Sequence, residues 1–196
     1  MIKLTKEGIR VIGIDDSPFD KQNKSKKVLV IGVIYRQNIV EGILSTHITR
    51  DGTDSTLKLQ KMISESRFSS QIKIILLHGT MMAGLNVIDI QKLSENLKLP
   101  VIAVTKTKPD MKSVYDALKK ANPKTFEMKK KIIERIAEKC GEFEKTNIKG
   151  DKYYIQSAGM TQMEAADILS KFGIESLRLA HIIGSGIVKG ESSGRI

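Results

Sequence analysis

The chain has no tryptophan, one cysteine and four prolines, and only 5% of its residues are aromatic. A lone cysteine, Cys140, excludes a disulfide framework and a cysteine-based zinc site within one chain. No apolar run approaches the roughly 18 residues that a membrane span needs, so no membrane partner is expected. The opening "MIKLTKEGIR" has no apolar signal-peptide core, and a cytoplasmic location is the expectation. The scarcity of aromatics argues against base stacking as the main mode of any nucleic-acid binding. Common nucleotide and acyl-transfer motifs are missing too. "HGTMMAGLN" lacks the spacing and the lysine of a phosphate-binding loop, and no G-x-G-x-x-G follows a strand. No nucleophile elbow supports a Ser/His/Asp triad.

What is present is a basic chain of ordinary globular composition. Its 196 residues are 40% hydrophobic and 28% charged, enough for one domain, 1–196, with a real core. Thirty-three Lys and Arg stand against 22 Asp and Glu, a formal net charge of +11. Between Lys112 and Lys152 there are 12 basic and 7 acidic residues. Such an excess draws a protein towards polyanions, with DNA or RNA as the expected partner. The competing reading is that lysine-rich helices are simply solvated faces. A homo-oligomer is left open.

The hydrophobic patterning alternates between two periods. "RVIGID" (10–15), "VLVIGVIYR" (28–36) and "IVEGILSTHIT" (39–49) read as strands, the last two joined by a tight hairpin at "QN", 37–38. Gly8 and the lysine-rich 21–27 segment read as loops. "STLKLQKMISES" (55–66) shifts to helical spacing. A strand at 72–78, a helix at 87–97, a strand at 100–104 and helices near 112–120 and 125–139 follow. "GDKYYIQ" is a shorter strand or turn region before helices near 162–172 and 176–188. The order β-β-β-α-β-α-β-α, with uninterrupted Val/Ile strands, predicts an α/β fold whose mixed sheet carries helices on both faces.

In such sheets chemistry collects where strand ends meet loops. The candidates are Asp15 and Asp16 after the first strand, Asp51 and Asp54 after the third, His78 after the fourth and Lys106 after the fifth. Pairing the first and fourth strands would set Asp15 beside His78, and converging acids could hold one or two hard divalent cations. Each residue has a plainer reading. Asp15 and Asp16 could form an Asx turn before Pro18. Asp54, in "TDST", could be a helix N-cap. His78 could pack at a strand end, and Lys106 could be an exposed loop lysine. Asp51-Gly52 reads as turn chemistry, Asn86 as the cap of the helix containing Asp89, and Thr161 with Glu164 as a capping box. His181, mid-helix among apolar residues, reads as core. "GSG" at 184–186 reads as close packing against a neighbour.

The order of elements is that of the ribonuclease H-like fold, and the motifs resemble the endonuclease V superfamily, most closely the archaeal endonuclease dU family. "GIDDSPF" (13–19) resembles that family's opening motif and the G-x-D-x-S of endonuclease V. "LPVIAVTK" (99–106) is similar to the segment ending in a lysine. "QSAGMTQMEAADIL" (156–169) looks like the Ser-Pro-Gly-His helix entry, and 175–196 resembles the closing helix and tail. The resemblance implies an enzyme that cuts a phosphodiester near a deaminated base, as in DNA repair, with acidic residues and Mg²⁺ or Mn²⁺. It places Asp15 as the first acidic ligand, Asp54 near the second, His78 on the third and Lys106 on the lysine. The implied metal set is therefore Asp15, Asp54 and His78. The sequence departs from the pattern at Met160 and Gly84, which stand where histidines would fall, and "HITRDG" lacks the Pro-Tyr-Ile-Pro wedge. A histidine in place of a carboxylate suits Mn²⁺ or Zn²⁺ better than Mg²⁺.

Two functions from different classes follow. One is a metal-dependent endonuclease. The other is a non-catalytic nucleic-acid-binding protein of the same fold with a degenerate active site. A third, a protein-interaction scaffold, stays open because net charge alone is weak support for nucleic acid.

Overall fold

The computed structural model describes residues 8–20 and 27–193. The lysine-rich stretch 21–26, expected as a loop, and residues 194–196 lie outside the described residues. In chain order the elements are β1 (Arg10–Asp16), β2 (Lys27–Arg36), β3 (Ile39–Thr49), α1 (Ser55–Ser64), β4 (Ile72–His78), β5 (Met81–Met82), β6 (Asn86–Val87), α2 (Ile90–Leu97), β7 (Val101–Thr105), α3 (Met111–Ala121), α4 (Pro123–Cys140), β8 (Glu144–Ile148), β9 (Asp151–Ala158), α5 (Gln162–Phe172) and α6 (Glu175–Lys189).

Seven strands form one mixed sheet in the order β3-β2-β1-β4-β7-β9-β8. The first three strands are an antiparallel meander. The turn between β2 and β3, Gln37-Asn38, has both residues in the left-handed region (φ 46° and 67°), which matches the twist of a two-residue hairpin. β1, β4 and β7 run parallel in the middle of the sheet, so all three end at the same edge. β9 returns antiparallel against β7, and β8 pairs with β9. The expected short segment at 150–156 is thus a full eight-residue strand with a polar partner. Lys149 and Gly150 turn between them with φ 51° and 94°.

The strand period of two splits the core between the faces. On one side Ile12, Ile14, Ile75 and Leu77 pack with Leu59 and Ile63 of α1, Ile90 and Leu93 of α2, and Ile136 of α4. On the other, Val11, Ile74, Leu76, Ile102 and Val104 pack with Ala165, Ile168 and Leu169 of α5 and Leu177 of α6. Helices therefore cover both faces, as the unbroken Val/Ile runs require. Among the described residues no helix is long and apolar enough to cross a membrane.

α6 lies unusually close to β1. A Cβ on Gly13 would meet the backbone of Ser176 and stand 2.5 Å from the Leu177 nitrogen. At the other end, a Cβ on Gly184 would stand 2.5 Å from Ser17 Oγ, so the close packing read into "GSG" holds at its first glycine. Gly186 faces open space. Eight helical residues rise about 12 Å and four strand residues about 13 Å. Helix and strand thus run in parallel and in step between the two contacts.

Candidate active site

β1 and β4 pair with Ile14 opposite Leu77, which carries the next residues, Asp15 and His78, into contact. His78 Nδ1 lies 3.1 Å from Asp15 Oδ1. The in-step run of α6 along β1 brings His181 to the same carboxylate, with Nδ1 3.0 Å from Asp15 Oδ2. Asp15 is buried (2% exposed), whereas the side chains of His78 and His181 keep 36% and 30% of their surface open. The result is one sunken carboxylate with an imidazole on each oxygen and both rings reaching solvent.

Asp16 stands beside this group. Its Oδ2 accepts a hydrogen bond from the Ala83 amide at 2.9 Å, and its own amide donates to Asp15 Oδ1 at 3.0 Å. Burial, and next the adjacent charge of Asp15, push its pKa up to about 6. The hydrogen bond with Asp15 raises the pKa of His78 above the usual imidazole value, against the opposing pull of burial.

The other residues picked out in the sequence sit around this centre. Lys106, one residue past β7, shares a narrow crevice with His78, Thr105 and Tyr153. Its ammonium lies 4.2 Å from the centre of the Tyr153 ring and 3.7 Å from Asp151. Asp54 holds the N-cap position of α1 without capping it. Its carboxylate instead accepts from the Thr49 amide (3.1 Å), the Thr49 hydroxyl (2.8 Å) and the Asn86 side-chain amide (2.7 Å). Burial pushes Asp54 up, but these bonds outweigh it and hold its carboxyl below the usual value. Asn86 was expected to cap α2. Asp89 does that, accepting from the Lys92 amide, while Asn86 Oδ1 accepts from Ser55, the first residue of α1. Asp51 accepts from the Leu85 amide at 2.9 Å.

The structure therefore joins Asp15 to His78 directly and places Lys106 near them. Asp54 makes its bonds to Thr49 and Asn86. Among the described residues no group of three or more His, Cys, Asp or Glu side chains is arranged to hold a metal ion, and in the Asp15 centre each carboxylate oxygen is already taken by an imidazole. As these side chains stand, the donor set does not fit a ready-made Mg²⁺ or Mn²⁺ cage. His181, read as core from its apolar surroundings, is part of the centre. The signal that could have found it is the run Ser176, Ala180, Gly184. Small residues every fourth position mark the face of α6 that approaches the sheet, and His181 adjoins it.

Comparison with known proteins decides the family. The endonuclease dU family model matches residues 7–188. The chain belongs to the endonuclease dU family. A UPF0215 protein of Archaeoglobus fulgidus is 38% identical over 191 residues, spanning 95% of this chain and 97% of that one. A second UPF0215 protein, from Methanothermobacter thermautotrophicus, is 37% identical over 195 residues, spanning 96% of this chain and 92% of that one. Among solved structures, an Archaeoglobus fulgidus protein of unknown function superposes with TM-score 0.78 at 36% identity, covering 92% of this chain and 98% of that one. Human endonuclease V superposes with TM-score 0.56 at 16% identity, covering 93% and 85%. The endonuclease dU chain thus has the ribonuclease H-like fold that its element order implied.

Proposed function

We propose that the chain is an endonuclease that cleaves phosphodiester bonds of DNA or RNA where Asp15, His78 and His181 meet. Membership of the endonuclease dU family and the endonuclease V-like fold support nuclease chemistry. The observation that carries the reading to these residues is the buried Asp15 carboxylate with an imidazole on each oxygen. An ionised carboxylate only accepts hydrogen bonds, so each Nδ1 carries a proton and each neutral ring keeps its lone pair on Nε2. A ring fixed this way can take a proton from an attacking water, and a protonated one can return a proton to the leaving oxygen. His78, whose pKa the hydrogen bond with Asp15 raises, suits the acid role, and His181, on the other carboxylate oxygen, is assigned the base role. Lys106, in the crevice beside His78, supplies positive charge for a phosphate oxygen. Lysines exposed on α3 and α4, among them Lys119, Lys120, Lys124 and Lys131, offer a basic surface to the strand.

The Asp15, Asp54 and His78 cage expected from the resemblance would need Asp54 to leave Thr49 and Asn86. Acid–base chemistry is therefore assigned to the chain's own groups, and the assay reads metal dependence directly. Labelled single- and double-stranded oligonucleotides, some with deoxyuridine or deoxyinosine, are incubated with Mg²⁺, with Mn²⁺ or with chelator. Cutting by the wild type that Asp15→Ala abolishes supports the proposal, and the substrate panel reads whether deaminated bases are preferred. Salt-sensitive binding without cleavage under every condition refutes it. That outcome favours the second reading, a nucleic-acid-binding protein with a degenerate site, to which the diversion of Asp54 already points.

A further inference from the structure

Among the described residues, Lys129 is the only lysine or arginine that the fold buries (2% exposed). α4 turns it inward while Lys131 stays at the surface. Its ammonium donates to the carbonyls of Asp51 (2.7 Å) and Leu85 (2.8 Å). Taking an ammonium out of water is costly, and burial lowers the Lys129 pKa accordingly. An apolar residue would fill the same space without that cost. What the lysine adds is its grip on two carbonyls.

Those carbonyls belong to the loop after β3 and the turn between β5 and β6, which are already knitted together. The Asp51 amide donates to the Ala83 carbonyl at 2.9 Å, and the Leu85 amide donates to Asp51 Oδ1 at 2.9 Å. The knot is a strained one. Asp51 and Ala83 are non-glycine residues with φ of 55° and 49°, a conformation costing roughly 1–2 kcal/mol each. Strain of this kind persists only where the surroundings over-determine it. At the far end of the knot, the Ala83 amide holds Asp16 Oδ2.

We propose that Lys129 is a positioning residue: it staples the Asp51 and Ala83–Leu85 loops together and through Ala83 fixes Asp16 beside Asp15. The proposal rests on the nuclease reading for its kinetic consequence, but not for its structural one. Lys129→Met keeps the length of the side chain and removes both bonds. Native-state amide exchange is followed at Ala83 and Leu85, with Leu76 in β4 as the internal reference, alongside cleavage kinetics. In the variant, protection at Ala83 and Leu85 falls about tenfold more than at Leu76. Because the Asp16 amide holds Asp15 Oδ1, a shift of Asp16 displaces the carboxylate that orients both rings; kcat falls about a hundredfold, the order expected for a group misplaced by about 1 Å, while KM stays near the wild-type value. Equal loss of protection at all three amides overturns the proposal, as does unchanged kcat despite local loss. If Lys129→Met does not fold, Lys129→Gln takes its place, a shorter polar side chain that removes the ammonium and leaves the Asp51 carboxylate with its bond from Leu85 and its ion pair with Arg50. The same local loss and kinetic split are expected there, in smaller degree, and uniform exchange again overturns the proposal. A wild type that cuts nothing refutes the nuclease reading alone, and the exchange measurement still decides whether Lys129 holds the loops.

Discussion

Gly13→Ala tests how tightly α6 is pressed against β1. The added Cβ would lie 2.5 Å from both the Leu177 nitrogen and Ser176 Oγ, and in contact with the Ser176 carbonyl carbon. Ordinary heavy-atom contacts lie at about 3.5 Å, so helix and strand must part by roughly 1 Å. The serine hydroxyl can rotate away, but the helix backbone cannot. Overpacking of this kind costs about 1–3 kcal/mol. For a chain of this size each kcal/mol lowers Tm by about 2–4 °C, so a fall of roughly 2–12 °C is expected. Two further glycines calibrate the measurement. Gly184→Ala meets Ser17 Oγ at 2.5 Å but Ser17 Cα and Cβ only at 3.3 Å, and the hydroxyl can turn, so it costs less. Gly186→Ala meets nothing within 4 Å and gains about 0.5–1 kcal/mol of helix stability. Urea unfolding of the three variants at one pH gives the order. A Gly13→Ala chain as stable as wild type, or a Gly186→Ala chain that loses as much as Gly13→Ala, refutes the close-packing account.

Two other predictions concern the site and its surroundings. His181→Ala lowers the cleavage rate by about 10²–10⁴-fold while shifting Tm by no more than a few degrees, because the ring is partly exposed; a rate within twofold of wild type removes His181 from the mechanism. Asp54 is held below its ordinary value in the folded chain, so its stabilisation is present above the unfolded carboxyl pKa of about 3.9. It is lost as pH falls through the lower folded value. The urea-unfolding difference between wild type and Asp54→Asn should therefore be largest near neutral pH and shrink progressively below about pH 4, and a difference independent of pH contradicts the bonding seen at Thr49 and Asn86.

The sequence announced the centre of the sheet and the residues at its strand ends because both depend on short-range pattern. Unbroken Val/Ile runs marked β1, β2 and β4, and pairing of the first and fourth strands put Asp15 beside His78. Features that depend on distant partners were harder to see. His181 is 166 residues from Asp15, and the small residues around "RLAHIIG" show at most which helix face meets the sheet, not that the histidine is aimed at a carboxylate. Asp54 looked equally like a cap or a ligand, since one of its actual partners, Asn86, lies 32 residues away in β6. Lys129 was lost in a run of three lysines, where helical period alone does not say which one turns inward. β8 was missed because "EKTNI", an edge strand with one buried residue, lacks apolar alternation. Lys149-Gly150 was its best clue.

The parallel course of α6 and β1 makes length, rather than chemistry, the quantity these segments cannot vary. A substitution at most positions between Ser176 and Gly184 leaves His181 on the face that meets Asp15. One inserted residue before His181 would turn it by about 100° around the helix axis and advance it by about 1.5 Å. The imidazole would then point along the surface, even with every side chain of the site still encoded. A homologous chain that keeps this contact is therefore expected to align across these two segments without gaps, and an insertion that falls there marks a chain in which this histidine no longer meets its carboxylate.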